Sequence, residues 1–237
     1  MIRVAITSDR FAAAAVPFRE VGLDPVPMPC IRIEAAPPNM LDQARAAATG
    51  ADLVLISSAR TIDLLWPDSM PAVEVAAVGS RTAAAISARG GRVVLCGRAG
   101  LGDLAVRLGE RWNDSKVVFP HGAVATGSAA VHPEDRPGHL ALTGMIEASG
   151  GNLQEFVIYR TISQAPGPDQ VEAAAFASPS AVAGWQLSRS LVGLLVGAIG
   201  RTTREALAAH GPVDVMAPRP THQALARAMA SYLEVTA

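Results

Sequence analysis

The chain contains an internal repeat, which restricts its fold more than any other feature. Residues 76–90, AAVGSRTAAAISARG, lie over residues 197–211, GAIGRTTREALAAHG. They share Ala77/Ala198, Gly79/Gly200, Thr82/Thr203, Ala85/Ala206, Ala88/Ala209 and Gly90/Gly211, and Val78/Ile199 and Ile86/Leu207 are conservative. A second echo lies upstream: DLVLISSARTI (52–62) matches AAFASPSAV (174–182), with Ser58 on Ser178 and Ile62 on Val182 at nearly the same offset. The repeated unit is therefore strand, Ser-rich turn, helix, strand, Gly turn, helix, Gly, strand. A chain of 237 residues has room for two domains of about 100–120 residues each, and the repeat predicts two similar α/β domains.

The rest of the sequence fits that plan. Strands are predicted over 2–7, 24–29, 52–57, 73–78, 92–96, 116–120, 153–159, 173–178, 193–199 and 212–217. Helices are predicted near 10–21, 39–49, 59–65, 80–89, 101–111, 138–149, 180–190, 202–210 and 221–233. Strands with β-branched residues on both faces, each followed by a helix, indicate parallel sheets covered by helices on both sides. Ten strands divide better into two sheets of about five than into one. Two β-capable segments end in prolines, IRIEAAPPN (31–39) and YRTISQAPGPD (159–169), and they read as a two-stranded hinge between the domains. One domain is then discontinuous, 1–33 plus 163–237, and the other, 38–158, is inserted into it, with linkers near 34–37 and 159–162.

Composition removes several classes. Half the residues are apolar and 17% are charged, so a sizeable core is expected and disorder is not. Aromatics at 4% and a net charge of −1, with no basic stripe, argue against nucleic acid as a partner. Cys30 and Cys96 lie far apart without a CxxC and read as buried small side chains in a reducing compartment. The opening MIRVAITSDRF lacks the apolar run of a signal peptide. No apolar stretch reaches the roughly 18–20 residues that span a bilayer. A soluble, cytoplasmic protein without a membrane partner is expected, and nothing in the sequence demands more than a monomer.

Ligands of open α/β sheets sit beyond the carboxyl ends of the strands. The turns there are TSDR (7–10), SSART (57–61), GSRT (79–82), HGAVATGS (121–128), SPSA (178–181) and GRTT (200–203). Their candidate binding residues are Thr7, Ser58, Arg60, Gly79, Ser80, Thr82, His121, Gly122, Ser178, Ser180, Gly200, Arg201, Thr202 and Thr203. Singly, each Ser or Thr reads as a helix cap; together, the turns offer free backbone N–H groups and helix-dipole charge to a polyanion. Histidines 121, 132, 139, 210 and 222 show no ligand spacing, so no metal is expected. GxSxG and GxxxxGK[ST] are absent, and the glycines of GRAGLG (97–102) lack the first-strand context of a dinucleotide fingerprint. Tyr232 reads as packing in the last helix. Tyr159, ending the strand before the second crossover, is either a packing residue at the rim of the cleft or a phenol able to give a proton to a leaving group.

These turns, in this order, resemble uroporphyrinogen-III synthases over most of the chain. AFASPSAVAGW, AIGRTTREALAAHG and MAPRPTHQALARAM are similar to that family's Ser-Pro-Ser, Gly-x-Thr-Thr and Pro-Thr-x-x-x-Leu segments. LISSARTI resembles its Thr-Ser-x-Arg-Ala-Val turn, AVGSRTAAAISARG its first Gly turn, and Tyr159 its catalytic candidate. The resemblance implies a cofactor-free lyase that closes hydroxymethylbilane, a linear tetrapyrrole polycarboxylate, with loss of water and inversion of the last ring. It implies that Tyr159 assists departure of the hydroxyl group. Ser58, Thr82, Ser178, Thr202 and Thr203 would join backbone amides around acetate and propionate groups. Two motifs depart from the pattern: the family's opening Thr-Arg-Pro reads Thr7-Ser8-Asp9, and its Arg-Gly after the strand at 116–120 reads His121-Gly122. Asp9 and His121 favour the alternative of a non-catalytic relative that binds a small anionic ligand as a sensor or regulator. A transporter's solute-binding protein also suits two hinged domains, and the missing signal peptide speaks against it.

Overall fold

The short apolar runs pair into parallel sheets and the Ala- and Leu-rich stretches between them coil into helices. The structure, a computed structural model, describes residues 1–98, 100–109, 114–123 and 135–236. In chain order the elements are β1 (Arg3–Ile6), α1 (Phe11–Glu20), β2 (Asp24–Pro27), β3 (Ile31–Ala35), α2 (Pro38–Thr49), β4 (Leu53–Ile56) and α3 (Ala59–Leu65). Then come β5 (Glu74–Ala77), α4 (Ser80–Ser87), β6 (Arg92–Cys96), α5 (Gly100–Leu108), β7 (Lys116–Ala123), α6 (Asp135–Ala148) and β8 (Asn152–Ser163). The last are β9 (Ala173–Phe176), α7 (Pro179–Gln186), β10 (Leu195–Ala198), α8 (Arg201–Ala208), β11 (Val215–Met216) and α9 (His222–Thr236). The stretch 31–39, read as an extended link, contributes β3. Residues 124–128 of the HGAVATGS turn, His132, and Ala99 of GRAGLG lie outside the described residues.

The chain divides into two compact units, residues 1–33 with 161–237, and residues 34–160. The first carries a five-stranded sheet in the order β2-β1-β9-β10-β11, with parallel pairing throughout. Alternation divides its core by face. Val4, Ile6, Ala173 and Ala175 pack with Phe18 of α1 and with Leu225 and Met229 of α9. Ala5, Ala174 and Phe176 pack with Trp185 of α7 and Leu207 of α8. A side-chain period of two places successive residues on opposite faces, and helices on both faces bury both.

The second sheet has six strands in the order β3-β8-β7-β4-β5-β6. Leu53, Leu55, Val117 and Phe119 face α5 and α6, where Leu104, Leu108, Leu142 and Ile146 meet them. Val54, Ile56 and Val118, buried as well, alternate to the other face. β4, β5, β6, β7 and β8 are parallel. Ala36 N–H donates to the Ile158 carbonyl and Gln164 N–H to that of Cys30. The two numberings run in opposite senses, which makes β3 antiparallel to β8.

Setting β3 aside, the two sheets share one plan. Positions β2-β1-β9-β10-β11 correspond to β8-β7-β4-β5-β6, with the same crossover helices between them. The order along the chain is rotated: β1 and β2 open the first unit, whereas their counterparts β7 and β8 close the second. The units are circular permutants of one another. The internal repeat covers only the part, β4 to β6 and β9 to β11, in which the chain order coincides.

Candidate active site

In each sheet the order reverses between two strands that both send their crossovers outward, and that reversal leaves a crevice at the carboxyl ends. In the first unit the crevice lies between β1 and β9; in the second, between β7 and β4. Val4 pairs with Ala173 and Val117 with Leu53. Counting four residues on from Val4 and from Val117 reaches Ser8 and His121. The two departures from the family pattern thus occupy equivalent positions, each at its own unit's switch point.

The serines there act as caps. Ser58 Oγ accepts from Arg60 N–H at 3.2 Å and Ser178 Oγ from Ala181 N–H at 3.2 Å. The threonine hydroxyls face inward. Thr7 Oγ1 donates to the Ala175 carbonyl at 2.8 Å, tying β1 to β9. Thr61 Oγ1 donates to the Pro120 carbonyl at 3.4 Å, tying α3 to β7. Thr7, Thr82 and Thr203 are buried. Ser80 and Arg201 are exposed, and Arg60, Ser180 and Thr202 half-buried. Arg201 pairs with Glu205 at 3.7 Å.

Gly79 and Gly200 open α4 and α8 in extended conformations, with φ of −166° and −174°. No side chain of their own caps these helices. A Cβ on Gly79 would meet nothing within 4 Å, and one on Gly200 only Pro220 Cβ at 3.9 Å. The missing side chain is therefore not needed for packing. It leaves the first backbone N–H groups of both helices open to an anion.

Gly122 is different. β7 and β8 pair His121 with Val157 and then Gly122 with Tyr159, so Ile158 is an extra residue and the ladder bulges there. The bulge turns Tyr159 across β7, and its ring lies over Gly122 so closely that any Cβ at 122 would collide with Cε2, Cζ and the hydroxyl. Bulges of this kind re-aim side chains beside functional sites. Tyr159 is 9% exposed, more enclosed than a rim residue. With Val157, Arg160, Glu34, Pro37 and Met40 it lines a groove of about 540 Å³.

His121 has partners that the sequence did not show. Its Nδ1 lies 2.9 Å from the Gly122 carbonyl oxygen, and its Nε2 3.1 Å from Glu155 Oε2 on β8. His139 Nε2, from α6, is 3.0 Å from that same oxygen. Phe119 stacks beneath both imidazoles, with ring centroids 4.7 and 5.6 Å away. Glu155 and His139 join through strand pairing and helix packing, contacts that no local spacing announces.

Among the described residues, no group of three His, Cys, Asp or Glu residues is arranged to hold a metal ion, and no helix is long and apolar enough to cross a membrane. A sequence profile described as "Uroporphyrinogen-III synthase HemD" matches residues 11–227. No curated protein matches in sequence. Among solved structures, a mutant uroporphyrinogen III synthase from the extremely thermophilic bacterium Thermus thermophilus aligns with a TM-score of 0.57 at 19% identity, covering 99% of this chain and 100% of its own. A uroporphyrinogen-III synthetase from Helicobacter pylori 26695 aligns with a TM-score of 0.63 at 13% identity, covering 99% and 98%. At those identities the likeness is one of fold.

Proposed function

The chain belongs to the uroporphyrinogen-III synthase family, and from that premise we propose that it cyclises hydroxymethylbilane to uroporphyrinogen III without a cofactor, as a monomer in the cytoplasm. The family match across residues 11–227 carries this conclusion, and the placement of Tyr159 supports it. The phenol gives its proton to the departing hydroxyl group, which leaves as water. For the last ring to invert, its α-carbon that already carries a bridge bonds to the freed methylene carbon. The old bridge bond then breaks and re-forms at the ring's other, unsubstituted α-carbon, and the proton lost there restores the phenol. The substrate supplies both the nucleophile and the leaving group. What remains for the protein is to hold the chain curled so that the inverted ring reaches its mark.

The carboxylates are the handles for that task. Backbone N–H groups at the starts of α4, α7 and α8 face the carboxyl ends of their sheets and favour anions. In this reading Gly79, Ser80, Gly200, Arg201 and Thr202 lie against acetate and propionate groups, with Ser58, Arg60, Ser178 and Ser180 at the switch points. Thr7, Thr82 and Thr203 contribute by fixing their turns from inside.

The test supplies freshly generated hydroxymethylbilane and separates the oxidised uroporphyrin isomers by chromatography. A dominant III isomer is expected. Only the spontaneous I isomer, from protein shown to be folded, would transfer the conclusion to the second reading, an anion-binding relative without catalysis. Ser8-Asp9 and His121 favour that reading, since both switch points depart from the family pattern at the same place.

A further inference from the structure

We propose that His121 and His139 form a carboxylate-binding site that Glu155 occupies from within the chain. Two imidazole Nε2 atoms from different elements converge on one oxygen, at 3.1 and 3.0 Å, with Phe119 behind both rings. The His121 side chain is 14% exposed and that of His139 28%, whereas that of the glutamate is 35% exposed. The donors are set in the protein and the acceptor is the member with most access to water. Chemically, this is a receptor holding its own stand-in ligand.

The hydrogen positions follow from the partners. A carbonyl oxygen only accepts, so Nδ1 of His121 carries the hydrogen that it gives to Gly122. A neutral imidazole has one N–H, and its Nε2 would then aim a lone pair at a carboxylate oxygen 3.1 Å away. A doubly protonated ring turns that repulsion into a charge-assisted hydrogen bond. The site therefore takes a carboxylate and a proton together. Among the described residues, the titratable groups facing His121 are Glu155 from β8 and His139 from α6. Tyr159 crosses the neighbouring Gly122. On α5, Asp103 and Arg107 pair with each other at 3.0 Å.

That the outside ligand is a substrate carboxylate rests on the proposed function. His121 stands at the carboxyl end of β7 beside Gly122 and Tyr159, where an acetate or propionate group would arrive. When one displaces Glu155, the glutamate swings into solvent and the two histidines keep their bonds to a carboxylate.

The experiment uses the full chain with ¹⁵N-labelled histidine and succinate as the probe. In Glu155→Ala, succinate is expected to shift the His121 and His139 ring resonances at pH 6. Wild type should need at least tenfold more succinate, since Glu155 competes. Glu155→Gln keeps the side-chain volume and replaces the alanine variant if that one fails to fold; it too should bind more tightly than wild type. Adding His121→Gln should abolish the shifts. Absence of shifts in a folded Glu155 variant at pH 6, or shifts that survive His121→Gln, would each overturn the proposal. Turnover plays no part in this readout. A protein that binds succinate here but yields no III isomer would lose the proposed activity and keep the site.

Discussion

Tyr159 shows how one residue's placement depends on another's lack of a side chain. A strand through Tyr159 was legible in the sequence, although β8 runs on to Ser163 instead of ending there; Gly122 was legible too, but not the reason for the glycine. That reason lies in the register of β7 against β8 and in one extra residue at Ile158, a non-local fact. Tyr159→Phe keeps the ring over Gly122 and removes the proton. It is expected to lower the rate of III-isomer formation by about 10²–10⁴-fold, the usual span of a general acid, and to leave the unfolding midpoint in place. Unchanged turnover would remove the phenol from the mechanism. His121 teaches a related lesson: the sequence marks it only as standing where the family pattern has an arginine, whereas the structure engages both its nitrogens within the chain.

At the scale of the elements, the period-two strands and the helices between them appear close to where the residue patterns put them. The sequence shows 31–39 as a β-capable segment beside 159–169. What it does not give is that β3 joins the second sheet as a sixth strand, because that depends on its pairing with β8. The Ser and Gly turns resolve into two kinds of helix start. Ser58 and Ser178 cap their helices, so alanine there costs about 1 kcal/mol of stability, and any loss of activity must be weighed against that. Gly79 and Gly200 cap nothing. Gly200→Val is therefore the cleaner probe: its extended φ suits any residue, and its Cβ would meet only Pro220, at 3.9 Å. We expect the valine variant to fold as wild type and to raise the KM for hydroxymethylbilane tenfold or more by screening the first N–H groups of α8. An unchanged KM would mean that no carboxylate binds there.

At the scale of the whole molecule, stability at high pH depends on one buried thiol. Cys30 sits in the core of the first unit with Met28 and Trp185. Burial pushes its thiol up from 9.0 to about 12, against the opposing pull of Arg189. Between those values the unfolded chain has lost the proton and the folded one has kept it. Stability that is intact below about pH 9 is thus lost as the pH rises towards 12. Urea unfolding at pH 8 and pH 10 should show wild type losing more stability over that interval than Cys30→Ala. Equal losses would show that the folded protein ionises Cys30 as readily as the unfolded chain does.

The permuted relation between the two units sets an order in time as well as in space. A ribosome delivers 34–160 as one uninterrupted stretch, and the strands β4 to β8 of that unit's parallel sheet all lie within it. Residues 1–33 leave the tunnel before it, yet β1 must wait for β9, whose first residue, Ala173, pairs with Val4. At about 5–20 residues per second, that wait lasts on the order of ten to thirty seconds. Throughout it, Val4, Ile6 and Phe18 have no finished core to enter. The second unit can fold as it is read, while the opening line stays unresolved until the last third of the protein has been made.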